Sequence, residues 1–174
     1  MQSITLSNAL KFNFLAIFLF IGSLSYGQAT AEVYQAENDG WLVDINEAYD
    51  ESKRTGKPIL ANHTGSDWCG WCKRLTKSVF VHDEFKTWAE KNVVLLELDH
   101  PKRKKLPAHI EQQNKSLAQA FGVRGYPTIT VFDLEKNANG EFAISKLGRT
   151  GYTKTATEFT VNIDKMIARR SSSE

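Results

Sequence analysis

The chain has 174 residues and a mass of 19.6 kDa, room for one ordinary domain. Its 41% hydrophobic and 24% charged residues suit a soluble globular protein and exclude both a disordered tail protein and a polytopic membrane protein. A formal charge of +2 gives no basis for bulk nucleic-acid binding, and two cysteines exclude a disulfide-stapled scaffold and a four-thiolate zinc site.

The first stretch reads as an address. After Lys11 the chain is almost wholly apolar from Phe12 to Leu24, about 13 residues against the ~20 of a membrane span. Small residues around Ser25-Tyr26-Gly27 follow, and the chain turns polar at Gln28. A basic start, a short apolar core and small residues at the cut match a secretory signal cleaved after Gly27, with Ala29 or Ala31 as other cuts. An uncleaved anchor is the alternative. Cleavage removes one Lys and no acid, so the charge falls from +2 to +1. The product is exported, to the periplasm or beyond, where thiols meet oxidising conditions.

Residues 28–40 form a polar, irregular lead-in, and Trp41 to Val43 begin the domain. Asp44 caps a helix to about Arg54 with Ile45, Ala48 and Tyr49 on one face, and Gly56 ends it. Ile59-Leu60-Ala61 is a short strand. Gly65 to Leu75 is a loop that becomes a helix reaching about Phe80, and Asp83 caps the next helical stretch. Val93 to Leu98 is apolar on both faces, which predicts an interior strand. Pro101 to Pro107 is a basic loop, and Gln112 to Phe121 a helix stopped by Gly122. Thr128 to Phe132 is a strand, Asn137 to Gly140 a turn, and Phe142 to Leu147 another strand. A last helix runs from about Thr155 to Ala168, leaving 169–174 as a tail. The order predicts one α/β domain over 41–168, a central mixed β-sheet flanked by helices.

Cys69-Gly70-Trp71-Cys72 carries the chemistry. Cysteines three apart at a helix start share a face and can form a disulfide. Cys69 sits where free backbone N–H groups and the helix dipole favour negative charge, which lowers a thiol's pKa from ~8.5. Its thiolate can attack a disulfide, and Cys72 can then resolve the mixed disulfide. The competing uses are weaker. Zinc needs two further ligands, and His63, His82, His100 and His109 contain no close His pair; a c-type haem needs His where Lys73 stands. So short a loop makes a purely structural disulfide of little value. No metal and no cofactor is expected.

Trp68 to Lys73, following Lys57-Pro58-Ile59-Leu60 and followed by Gly125-Tyr126-Pro127-Thr128, resembles the thioredoxin superfamily. Gly65 to Cys72 resembles more narrowly the exported bacterial thioredoxin-like proteins, and the resemblance covers about Trp41 to Ala168. It implies a thioredoxin-like fold, Cys69 as exposed nucleophile, Cys72 as resolving thiol, and Pro127 as the cis-proline opposite them, with the backbone of Tyr126 free to pair with a substrate strand. Two departures stand out. Gly70-Trp71 replaces the Gly-Pro of thioredoxins, so their reduction potential does not carry over. Their buried Asp is replaced by Asn62 or His63, depending on a one-residue loop difference. His63 is thus a candidate proton relay, although a hydrogen-bonded structural histidine is the favoured reading.

Trp68, Gly70, Trp71, Tyr126 and Pro127 are the expected substrate-binding residues, with Trp71 exposed and Trp68 equally suited to packing. Asp67 is read as a loop carboxylate in solvent, Lys102-Arg103-Lys104-Lys105 as a solvated loop, and Asp83 and Glu84 as helix-start charges. Phe85, Trp88, Phe132 and Phe159 are assigned to the core. The expectation is an exported thiol-disulfide oxidoreductase, monomeric and not membrane-inserted after cleavage, that reduces or isomerises protein disulfides with a separate redox partner. The alternative is a peptide-binding or chaperone-like module whose cysteines sense or stabilise.

Overall fold

The computed structural model describes residues 34–170; the expected signal peptide and residues 171–174 lie outside the described residues. Helix α1, Ile45–Thr55, opens where the Asp44 carboxylate accepts the Asn46 N–H at 2.7 Å. It closes at Gly56, whose φ of 70° is the left-handed conformation that glycine adopts without steric cost. Strand β1, Ile59–Thr64, is twice as long as its apolar run suggests. Asn62, His63 and Thr64 continue it because they are buried between two neighbouring strands.

Helix α2, Gly70–Leu75, passes into a π-helical turn, Thr76–Phe80, whose wider bore leaves consecutive Val79 and Phe80 both buried. Helix α3, Asp83–Asn92, starts one residue earlier than a cap at Asp83 requires: His82 holds the cap position, and Asp83 and Glu84 are the acids of the first turn. Strand β2 is Val94–Asp99. Helix α4, Ala108–Phe121, begins a turn before the predicted Gln112, with Pro107 at its cap. Strands β3, Thr128–Lys136, and β4, Phe142–Thr150, each outrun their apolar cores, and α5, Ala156–Ile167, is capped by Thr155. No helix among the described residues is long and apolar enough to cross a membrane.

The sheet order is β2-β1-β3-β4, with β1 parallel to β2 and antiparallel to β3, and β3 antiparallel to β4. The sheet is mixed, as predicted, but β2 is an edge strand rather than an interior one. Its apolar outer side is explained by the segment just before α1, for Leu42 bonds to Leu95 and Glu97 backbone groups and covers that edge. Alternation along the strands sorts the core into two layers. Leu60, Ile129 and Val131 face Leu75, Val79, Phe80, Phe85, Phe159 and Ile163, from α2 through α3 and from α5. Ile59, Ala61, Leu96 and Phe132 face Ile45, Ala48, Leu117 and Phe121 of α1 and α4. Trp88 differs from its core assignment: it is half-buried, with its indole N–H on Asp164 at 3.0 Å.

Candidate active site

The loop leaving β1 is shaped by one close approach. A side chain on Gly65 would put its Cβ 2.5 Å from the Trp68 indole, so only glycine admits that ring. Trp68 is then fixed by its N–H to the His100 carbonyl (2.8 Å), by an edge contact with Tyr126 (5.6 Å between centroids), and by Lys102, whose ammonium lies 4.0 Å over the ring. The packing role of Trp68 is thereby explicit.

Cys69 follows as the N-cap of α2. Its Sγ accepts the Cys72 N–H at 3.1 Å, and the two sulfurs are joined in a disulfide with Cα atoms 5.3 Å apart. Exposure does not separate the pair, since Cys69 is 5% and Cys72 4% exposed. Hydrogen bonding does. A backbone donor aimed at the Cys69 sulfur is the arrangement that favours its thiolate once the bond is reduced.

The surroundings come from three further segments. Tyr126-Pro127 is a cis peptide at the entry to β3, where Thr128 registers with His63 at the end of β1. The Tyr126–Trp68 contact sets that bond beside the cysteine loop, and burial raises the Tyr126 pKa. Gly70 is exposed and Trp71 is 53% exposed, packed edge-on against Tyr152, itself 38% exposed, at 5.1 Å. Sequence reasoning missed Tyr152, because nothing local marks the residue after Gly151 as neighbour to Trp71, which lies 81 positions earlier in the chain.

Strand parity separates Asn62 from His63. Asn62 shares the face of Leu60, toward the layer that contains α2, and its side-chain oxygen is buried without a partner among the described residues. His63 points to the other layer. It meets Phe121 (5.9 Å) and His100 (6.2 Å), and its Nε2 lies 3.5 Å from the Thr130 hydroxyl. Burial, then the neighbouring His100, lowers its pKa to about 3, so the ring is neutral. The structure therefore brings Asn62, not His63, to the side of the sheet that carries the cysteines.

Two carboxylates brace the site. Asp67 is no solvated loop acid: it accepts backbone N–H bonds from Lys102, Arg103 and Lys104 at 2.6 to 3.3 Å. Desolvation raises its pKa, but those three donors outweigh it and hold the carboxyl below its ordinary value. Asp99, fully buried at the end of β2, accepts the Ser66 N–H at 2.8 Å and hydroxyl at 2.7 Å, and pairs with Lys104 at 3.1 Å. Lys104 also pairs with Glu37 of the lead-in. The signal for Asp99 was its place at the carboxyl end of a strand, where α/β proteins build sites. A cavity of about 970 Å³ along the β2 edge, between α1 and α3, contains none of these groups.

A thioredoxin-like family profile matches residues 40–133. The chain is similar to the disulfide bond reductase DsbH of Chlamydia pneumoniae, 35% identical over 89 residues that make up 51% of this chain and 54% of that protein. It is also similar to the thioredoxin-related protein DsbJ of the same organism, 29% identical over 136 residues, 78% of this chain and 39% of that one. The chain thus spans about half the length, or less, of these curated relatives. The solved structure of a DsbH oxidoreductase matches with a TM-score of 0.63 at 26% identity, covering 78% of this chain and 92% of that one.

Proposed function

The chain belongs to the thioredoxin-like family, and on that footing we propose that it is a thiol-disulfide oxidoreductase that reduces or isomerises protein disulfides outside the cytoplasm. The observation that carries the reading is Cys69 at a helix cap, bonded to Cys72 and receiving the Cys72 N–H on its sulfur. In the reduced protein the Cys69 thiolate attacks one sulfur of a substrate disulfide. An S–S bond forms between enzyme and substrate, and the other substrate sulfur leaves as a thiolate that takes up a proton. The Cys72 thiolate then attacks Cys69 Sγ, expels the second substrate thiol, and restores the 69–72 disulfide. Two electrons pass from the dithiol to the substrate, and a redox partner returns them.

Trp71 and Tyr152 supply an exposed apolar grip beside the sulfurs, and the Tyr126-Pro127 segment offers an edge for an extended chain. Asn62, on the α2 side of the sheet, offers a carboxamide oxygen that can accept a hydrogen bond but cannot take up the Cys72 proton, so that proton passes to solvent. Export rests on the apolar run Phe12 to Leu24 and the small residues behind it.

The test uses two variants. Cys72→Ser retains the attacking thiol and lacks the resolving one, so mixed disulfides with exported proteins accumulate on non-reducing gels. Cys69→Ser captures few. Equal capture by both variants that survives reductant refutes the oxidoreductase and leaves a binding module.

A further inference from the structure

The net charge of the chain is close to zero, yet the exposed charges around the cysteines are predominantly positive. Lys73 and Arg74 follow the cysteines on α2, Lys102, Arg103 and Lys105 lie on the loop after β2, and Arg124 precedes Tyr126-Pro127; all six are exposed. None of the six forms an ion pair among the described residues. Ring contacts bring their segments together: Tyr126 meets Trp68, Lys102 lies on Trp68, and the Arg74 guanidinium stands 4.6 Å over Trp71. Two acids lie among them: Asp67 accepts three backbone N–H bonds, and Glu111, which lines the same hollow as Lys105, pairs with Lys115. Elsewhere the signs are mixed, as around the cavity between α1 and α3, where Asp39, Glu47, Asp50, Glu51 and Glu90 stand with Arg54, Lys57 and Lys86.

The loop is also built to hold its cations outward. Asp67 fixes the backbone of residues 102 to 104, and Lys104 turns inward to Asp99 and Glu37. Lys102 is left over the Trp68 ring, and Arg103 and Lys105 face solvent. Unpaired cations on a fixed backbone raise the local concentration of anionic partners and lower that of cationic ones.

We propose that this cationic rim selects protein disulfides whose cysteines lie among acidic residues, the 102–105 loop acting as the specificity element. The inference rests on the oxidoreductase reading above and names its substrate class. Exposed rim charges act through solvent over about 8 Å at physiological salt, so the selection appears in the encounter rate and weakens as salt is added.

The test measures the rate at which the reduced protein is oxidised by three decapeptide disulfides, identical except for Glu, Ser or Lys at the two positions on either side of the cysteine. At low salt the Glu peptide reacts about 10-fold faster than the Lys peptide, with the Ser peptide between, and the spread shrinks to about 2-fold in 0.5 M NaCl. The double variant Lys102→Glu, Arg103→Glu keeps the backbone donors to Asp67 and reduces or inverts the preference. Lys165→Glu, on the exposed face of α5 near its end, leaves it unchanged. Equal, salt-independent rates for all three peptides overturn the cationic rim while sustaining the oxidoreductase. A double variant that retains the full acidic preference overturns the role of the loop. Failure of every peptide to react overturns the oxidoreductase reading itself.

Discussion

His63 makes the protein sensitive to acid in a way that can be worked from its surroundings. It is fully buried, its Nδ1 has no partner among the described residues, and Phe121, His100 and Thr130 stand around it. In the unfolded chain the imidazole takes a proton near pH 6.5; in the folded protein burial, and next the His100 ring, delay that to about 3. A lowered folded pKa favours the neutral form, so this contribution is complete above pH 6.5 and is lost as pH falls toward 3. Linkage over that window gives a loss of about 2 kcal/mol at pH 5 and about 3 kcal/mol at pH 4. Against a total stability of ~5–15 kcal/mol this is a sizeable share. Urea unfolding of wild type and His63→Phe at pH 7 and pH 5 isolates the effect, because carboxylate contributions common to both proteins cancel. The variant's own packing change shifts its stability at both pH values alike, and the expected result is a pH difference smaller by about 2 kcal/mol than in wild type. Identical pH dependence in the two proteins refutes the reasoning.

Two more outcomes follow from the site. Asp99→Ala strands the Ser66 N–H and hydroxyl and leaves Lys104 with Glu37 alone, so the urea transition shifts by about 3 kcal/mol and the Ser66 amide exchanges faster; a shift under ~0.5 kcal/mol counts against the brace. Trp71→Ala removes a half-exposed ring, so stability stays within ~0.5 kcal/mol, while reduction of a protein disulfide slows by about 10-fold and reaction with a small aliphatic disulfide is unaffected. Equal slowing on both substrates assigns Trp71 to the sulfurs rather than to substrate grip.

Much of this was legible in the sequence where local chemistry acts alone. Asp44, Gly56, Gly122 and Thr155 set helix ends because a cap needs only its own turn. Cys69 and Cys72 were legible because one helical turn fixes their spacing. Strand lengths were not. Asn62-His63-Thr64 and Arg149-Thr150 look polar, and they are strand because neighbouring backbones bond to them across the sheet. The interior reading of β2 failed for the same reason: its covering segment, around Leu42, lies more than fifty residues earlier. Side-chain partners across such distances, like Asp67 with residues 102–104, leave no local periodicity to read.

The two braces act together because they cross. Asp67, in the loop before the cysteines, holds the backbone after β2; Asp99, at the end of β2, holds the loop before the cysteines through Ser66. Each loop therefore supplies the carboxylate that accepts the other's N–H groups, part-buried at Ser66 and Lys104 and exposed at Lys102 and Arg103, and a shift of either loop breaks bonds in both. Glu97 extends the same logic outward, taking the N–H groups of Glu37 and Asn38 so that the lead-in closes over Lys104. Burial raises the Glu97 pKa, so ionising it opposes the burial that the lead-in imposes. Reduction of the Cys69–Cys72 bond adds two electrons and two protons at the sulfurs, and a frame braced from both sides holds Trp68 and the backbone of residues 102–104 around that change.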